Sequence, residues 1–137
     1  MSHKKVRCRD VMNQRFAIVD GLMTVAEALA IMKKNNYKKV IIEKRDSGDE
    51  YGQVQLSDIA KQVIALDRNP DRVNLYEIMA KPVIAVRPDM DIKYCARLFT
   101  RFGLSSAPVI ENEDVIGICS YNDIVLSWLD YLESSDS

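Results

Sequence analysis

The sequence predicts a mixed α/β (α+β) fold made of two similar halves, on three observations. First, the chain repeats itself: Asp10-Val-Met12 returns as Glu77-Ile-Met79 at an offset of 67 residues, and Phe16-Ala-Ile-Val19 falls on Val83-Ile-Ala-Val86 at the same offset. Gly52 and Asp58-Ile59 return as Gly117 and Asp123-Ile124 at an offset of 65, so the first copy carries a turn two residues longer, within residues 43–51. Second, each copy reads as strand, helix, strand, strand, helix, short apolar runs alternating with stripes of helical period. Third, two helices and one small sheet give neither copy a large core alone, which predicts βαββα halves packed face to face.

In order along the chain, Thr24-Val-Ala-Glu27 is a capping box: a hydroxyl and a carboxylate three residues apart satisfy the free amides of a helix start. It opens an apolar stripe through Val25, Ala28, Leu29 and Met32 that ends near Asn35-Asn36. Val40-Ile-Ile42 is a short strand, and the first copy closes on a helix with Ile59, Val63 and Leu66 inward. Arg68-Asn-Pro-Asp-Arg72 connects the copies. In the second copy Asp91 is the N-cap, Ile92, Cys95, Ala96 and Phe99 form the stripe, and Gly103 stops it. Ala107-Pro-Val-Ile110 and Val115-Ile-Gly-Ile-Cys119 are strands joined by the turn Asn112-Glu-Asp114, and the last helix carries Ile124, Val125, Trp128, Leu129 and Leu132. The boundaries that follow are a first repeat over 7–66, a connection over 67–75 and a second repeat over 76–132, within one compact module over 1–137.

Composition narrows the function. The 137 residues are 47% hydrophobic and 28% charged, which supports a folded core rather than a disordered chain. Nineteen Lys and Arg against twenty Asp and Glu leave a formal charge of -1, with no broad attraction to nucleic acid or an anionic membrane. The Lys4-Lys5, Lys38-Lys39 and Arg97/Arg101 groups motivate a nucleic-acid role, but no cluster of stacking aromatics accompanies them. The start, Met1-Ser-His-Lys-Lys, has no apolar secretory stretch, and no run approaches a membrane span, so a cytoplasmic location without membrane partner is expected. Cys8, Cys95 and Cys119 with His3 match no zinc spacing and read as buried thiols, and Asp46-Ser-Gly-Asp-Glu50 reads as a solvated turn. There is no phosphate loop with lysine and no nucleophile beside a base, so neither catalysis, nor a catalytic cofactor, nor a metal is expected.

The ordered set Asp10-Val-Met12 with Gly52-Gln-Val-Gln-Leu-Ser-Asp-Ile59, and Glu77-Ile-Met79 with Gly117-Ile-Cys-Ser-Tyr-Asn-Asp-Ile124, resembles a tandem cystathionine-beta-synthase (CBS) domain pair. Gly103-Leu-Ser-Ser-Ala-Pro-Val-Ile110 strengthens the resemblance in the second copy, whereas Asn36-Tyr-Lys-Lys-Val-Ile-Ile-Glu43 departs from it in the first. The resemblance covers about residues 7 to 130. It implies two halves packed with pseudo-twofold symmetry and a regulatory rather than catalytic module, here stand-alone, with two clefts for adenosine-containing nucleotides and assembly as a homodimer acting on a separate effector protein. The ligands it implies are AMP, ADP, ATP or S-adenosylmethionine. The alternative is a constitutive interaction or dimerisation module without nucleotide binding.

The residues have a chemistry of their own. Ser120 and Asp123 stand where a strand meets a helix: a hydroxyl can bind a phosphate or sugar oxygen and a carboxylate can accept both bonds of a ribose diol. The same two residues also read as an N-cap and its N3 acceptor; the resemblance implies the ribose-phosphate role. Val83, Ile84, Ala107, Pro108 and Val109 form an apolar and main-chain wall for an adenine ring, or else plain core. A weaker second site is Phe16 and Ala17, matched to Val83 and Ile84, with Lys39, Gln55 and Asp58; Gln55 stands in the place of Ser120. Lys38, Lys39, Lys81, Arg87 and Arg101 are phosphate-contact candidates, and Trp128 is the expected interface residue.

Overall fold

A computed structural model of the chain describes residues 5–135; His3 and Lys4, named above, lie outside them. The chain separates into two compact units. The N-unit is Arg15–Val83; the C-unit joins Met1–Gln14 to Ile84–Ser137. Repeats and units therefore do not share boundaries: the leader bearing Asp10-Val-Met12 packs with the second copy's body, and Glu77-Ile-Met79 with the first copy's.

In the N-unit, β1 (Ile18–Val19) runs parallel to β2 (Lys39–Ile42), and β2 pairs antiparallel with β3 (Gly52–Gln55). Helix α2 (Val25–Asn35) starts at the expected capping box, where the Glu27 amide donates to Thr24 Oγ1 at 3.1 Å, and Asn36 ends it at φ 57°. Its Val25, Ala28 and Met32 pack with Val40, Val54 and Leu75 in the unit's core. Helix α3 (Leu56–Ile59) widens at once into a π turn, Ala60–Ile64. The turn changes the expected stripe: Ile59 and Val63 are buried, but Leu66 is exposed, because the added residue per turn rotates later positions off the core face. The connection carries a 3₁₀ turn at Pro70–Arg72, where Asn69 Oδ1 accepts from the Asp71 amide.

The C-unit has α1 (Cys8–Val11), α4 (Ile92–Phe102), and β4 (Ser106–Glu111) antiparallel to β5 (Asp114–Ser120), followed by α5 (Tyr121–Ser135). Asp91 caps α4 through the Lys93 amide, and Gly103 ends it at φ 65°, the left-handed conformation glycine adopts without a Cβ penalty. Asn112 and Glu113, both at positive φ, form the two-residue hairpin turn between β4 and β5. Segment 84–86 takes the place that β1 holds in the N-unit, through one parallel bridge from Val86 to Val109.

The exchange of leaders explains why the two motifs of each copy recur together. A Cβ on Gly117 would stand 2.6 Å from Met12 Sδ, and one on Gly52 would stand 2.7 Å from Met79 Sδ. Past each methionine the chain pairs with the same strand, Asn13 with Ile118 and Ala80 with Gln53. Gly117→Ala should therefore overpack the Met12 contact and cost about 1–3 kcal/mol in urea unfolding; an unchanged midpoint would remove this account of the glycine.

Candidate functional site

The C-unit brings together most of the predicted first site. Ser120 ends β5 and Asp123 is the third residue of α5. The Ser120 hydroxyl donates to Asp123 Oδ2 at 2.7 Å, the Ser120 amide donates to the same oxygen at 3.2 Å, and the Asp123 amide donates back to Ser120 Oγ at 3.2 Å. This is the reciprocal cap the sequence allows. A third donor comes from the leader: Asn13 Nδ2 lies 2.7 Å from Asp123 Oδ2. All three donors fall on Oδ2, so the cap uses one carboxylate oxygen and leaves the lone pairs of Oδ1 outside it.

The apolar wall is divided by strand alternation. Ala107 and Pro108 are both fully buried, Ala107 within the unit's core cluster and Pro108 on the opposite face of β4. Ile84 is 40% exposed beside that strand. In the N-unit the Ile41 amide donates to the Ala17 carbonyl at 2.8 Å; the matching donor in the C-unit would be Pro108, which has no N–H. The Ile84 carbonyl is thus released from the ladder at a place where the sequence put an adenine edge. Val109 belongs to the core, and Val83 falls in the other unit.

The N-unit assembles the weaker set differently. Phe16 and Ala17, half-buried, lead into β1. Lys39 and Gln55 are register partners across β2 and β3, and the Gln55 amide donates to Asp58 Oδ2 at 2.8 Å. Lys39 is 3% exposed and donates to Gln53 Oε1 at 3.1 Å. Burial pushes its pKa down to about 8, against the opposing pull of the Asp58 carboxylate. Among the other cations, Lys81 is held by Asp49 at 2.7 Å, with the Lys81 hydrogen bond pulling the Asp49 carboxyl below its ordinary range, and Arg87 lies 3.6 Å from Asp89. Lys38 and Arg101 are exposed. Trp128 is 53% exposed on α5, beside exposed Val125 and Leu129.

Two participants were missed in the sequence. Asn13 follows Asp10-Val-Met12 directly, but nothing in linear order sends it to Asp123. Gln53, the buried partner of Lys39, looks like any polar residue of an alternating strand.

A family model for the CBS domain matches the chain twice, over residues 8–65 and 75–129. The chain belongs to the CBS domain family. The tandem arrangement and the α+β fold follow from those two matches and from solved relatives of this CBS pair. A hexameric CBS-CP12 protein from bloom-forming cyanobacteria is 36% identical, with a TM-score of 0.86 over 93% of this chain and 73% of that one. The CBS domain pair of protein MJ0100, solved in complex with 5'-methylthioadenosine and S-adenosyl-L-methionine, is 23% identical with a TM-score of 0.76, over 90% of this chain and 99% of that one. Among curated proteins, an uncharacterized protein MK0525 of Methanopyrus kandleri is 31% identical over 103 residues, 74% of this chain and 52% of its own length. A homoserine O-acetyltransferase of Methanosalsum zhilinae is 32% identical over 116 residues, 84% of this chain but 22% of the enzyme. The chain thus spans about half of one curated relative and under a quarter of the other. Among the described residues no helix is long and apolar enough to cross a membrane.

Proposed function

We propose that this CBS pair is a non-catalytic regulatory module that binds an adenosine-containing ligand, AMP, ADP, ATP or S-adenosylmethionine, and transmits its occupancy to a separate protein. The observation that carries the reading is the C-unit carboxylate: Asp123, fixed through Oδ2 by Ser120 and Asn13, has Oδ1 outside the cap, available for a ribose diol. At the start of the 15-residue helix α5 the Tyr121 amide is bonded to the Ser105 carbonyl and the Asp123 amide to Ser120 Oγ, so the Asn122 amide is the first-turn donor outside the cap, suited to a phosphate or a sulfonium ligand's carboxylate. Ile84, 40% exposed, offers apolar contact to the base, and its carbonyl offers an acceptor to the exocyclic amine. The ligands named in the MJ0100 complex share this adenosine chemistry.

The N-unit set is the weaker one in this proposal. Gln55 contributes its amide to Asp58 where Ser120 contributes amide and hydroxyl to Asp123, and Lys39 spends its ammonium on Gln53. The exposed apolar run of α5, Val125, Trp128 and Leu129, is the surface on which a second copy would pack as a homodimer, with Trp128 as its anchor.

Native mass spectrometry of gently purified protein, followed by calorimetric titration with the four ligands, tests the reading. The expected result is a dimer with one dominant class of site per chain, perturbed more by Ser120→Ala than by Asp58→Ala. A dimer that binds none of the four ligands would favour the alternative, a constitutive interaction module. Equal and independent sites would overturn the ranking of the two sets.

A further inference from the structure

The three cysteines of this chain, distant in sequence, converge on one point of the C-unit. Cys8 comes from α1 in the leader, Cys95 from the inner face of α4 and Cys119 from β5. All three are fully buried free thiols, and their sulfurs lie within 4.8 Å of one another, with Cys95 Sγ and Cys119 Sγ 3.9 Å apart.

The repeat supplies an internal control for what the fold needs at these positions. At the offsets of 67 and 65, Cys8, Cys95 and Cys119 correspond to Leu75, Ala28 and Val54, each fully buried in the N-unit core. The equivalence extends to the backbone: the Cys8 amide donates to the Met90 carbonyl as the Leu75 amide donates to that of Met23, at 2.8 and 2.9 Å. Aliphatic side chains therefore satisfy the packing of the same architecture. The C-unit replaces all three at once by thiols, and the chain places no cysteine anywhere else.

The geometry points to a three-thiolate site for a single soft, thiophilic metal ion. With metal–sulfur bonds of about 2.3 Å, three thiolates around one ion in a plane have sulfurs about 4 Å apart, close to the spacing already present. Thiolate donors select soft ions of the cuprous, zinc or cadmium kind over hard ones, and a site of three sulfurs favours an ion that accepts trigonal coordination. Binding a divalent ion releases the three thiol protons and leaves three metal–sulfur bonds with a net charge of -1. The ion would tie the leader to α4 and β5. Since the leader also carries Met12 and Asn13, it would fix the strand that reaches Asp123.

Cadmium is a direct probe. The full chain, reduced and kept anaerobic, is titrated with cadmium chloride while the ultraviolet sulfur-to-cadmium charge-transfer band is followed, and native mass spectrometry counts the ions. We expect saturation at one cadmium per chain. The variant Cys95→Ala/Cys119→Val takes side chains that the N-unit uses at the matched positions; it should unfold cooperatively yet lose the band, with affinity lower by more than about a hundredfold, beyond the loss seen on removing an outer-shell partner. A band that survives in the folded double variant would overturn the site. So would the lack of a band in the reduced wild type, a result that depends on no variant.

Discussion

Asp123→Asn is expected to weaken binding of an adenosine ribonucleotide by about tenfold to more than a hundredfold, the equivalent of losing charge-assisted bonds of about 1.5–3 kcal/mol. The carboxylate offers acceptors only, whereas the amide brings a donor that must face either the ribose or the Ser120 and Asn13 donors now on Oδ2. The substitution therefore acts on binding and on the α5 cap together, and an N-cap interaction contributes about 0.5–2 kcal/mol to stability. The two effects separate when ribose nucleotides are compared with their 2'-deoxy forms in wild type and variant, with urea unfolding measured alongside. Wild type should prefer ribose, and the folded variant should lose most of that preference. Undiminished ribose preference in a folded Asp123→Asn protein would confine Asp123 to capping.

Lys39→Met is expected to stabilise the protein at pH 7 by about 1–3 kcal/mol. The folded lysine has its pKa lowered from 10.5 to about 8 by burial. Below pH 8 both folded and unfolded lysines are protonated and the cost of burying the charge is fully present. Between pH 8 and 10.5 the folded lysine has lost its proton while the unfolded one retains it, so the unfolded state binds more protons and stability rises with pH. At about 1.4 kcal/mol per pKa unit the whole rise is about 3 kcal/mol, and loss of the Gln53 bond in the variant takes back about 1 kcal/mol. Urea unfolding should show wild type gaining stability relative to Lys39→Met across that window. The buried Cys95 and Cys119 thiols, whose raised pKa values lower stability in both proteins there, cancel in that difference. A difference between wild type and variant that stays constant from pH 8 to 10.5, or a destabilised variant at pH 7, would refute the buried, charged lysine.

Local rules made much of the fold legible. Thr24 with Glu27, Asp91, and Gly103 mark helix ends through bonds and backbone angles that involve only near neighbours, and they stand where the chain order puts them. The Ser120–Asp123 pair was legible in the same way, and its two readings stayed open because a cap and a ribose acceptor need the same groups at the same spacing. The stripe through Leu66 misled because periodicity assumes 3.6 residues per turn, and the π turn at Ala60–Ile64 breaks that period without a glycine or proline to announce it.

By itself the sequence determined that the chain is a duplicated α+β module, that its helices begin and end at named caps, and that Ser120 and Asp123 sit at a strand-to-helix junction. Those properties depend on periodicity and on contacts a few residues apart. Only the tertiary structure decided which body each leader joins, that Asn13 reaches Asp123, that Lys39 is buried on Gln53, and that Cys8, Cys95 and Cys119 meet. These contacts join residues up to 111 positions apart. Such pairings depend on packing between distant segments, as where Met12 and Met79 fill the space that Gly117 and Gly52 leave, and linear spacing does not encode them.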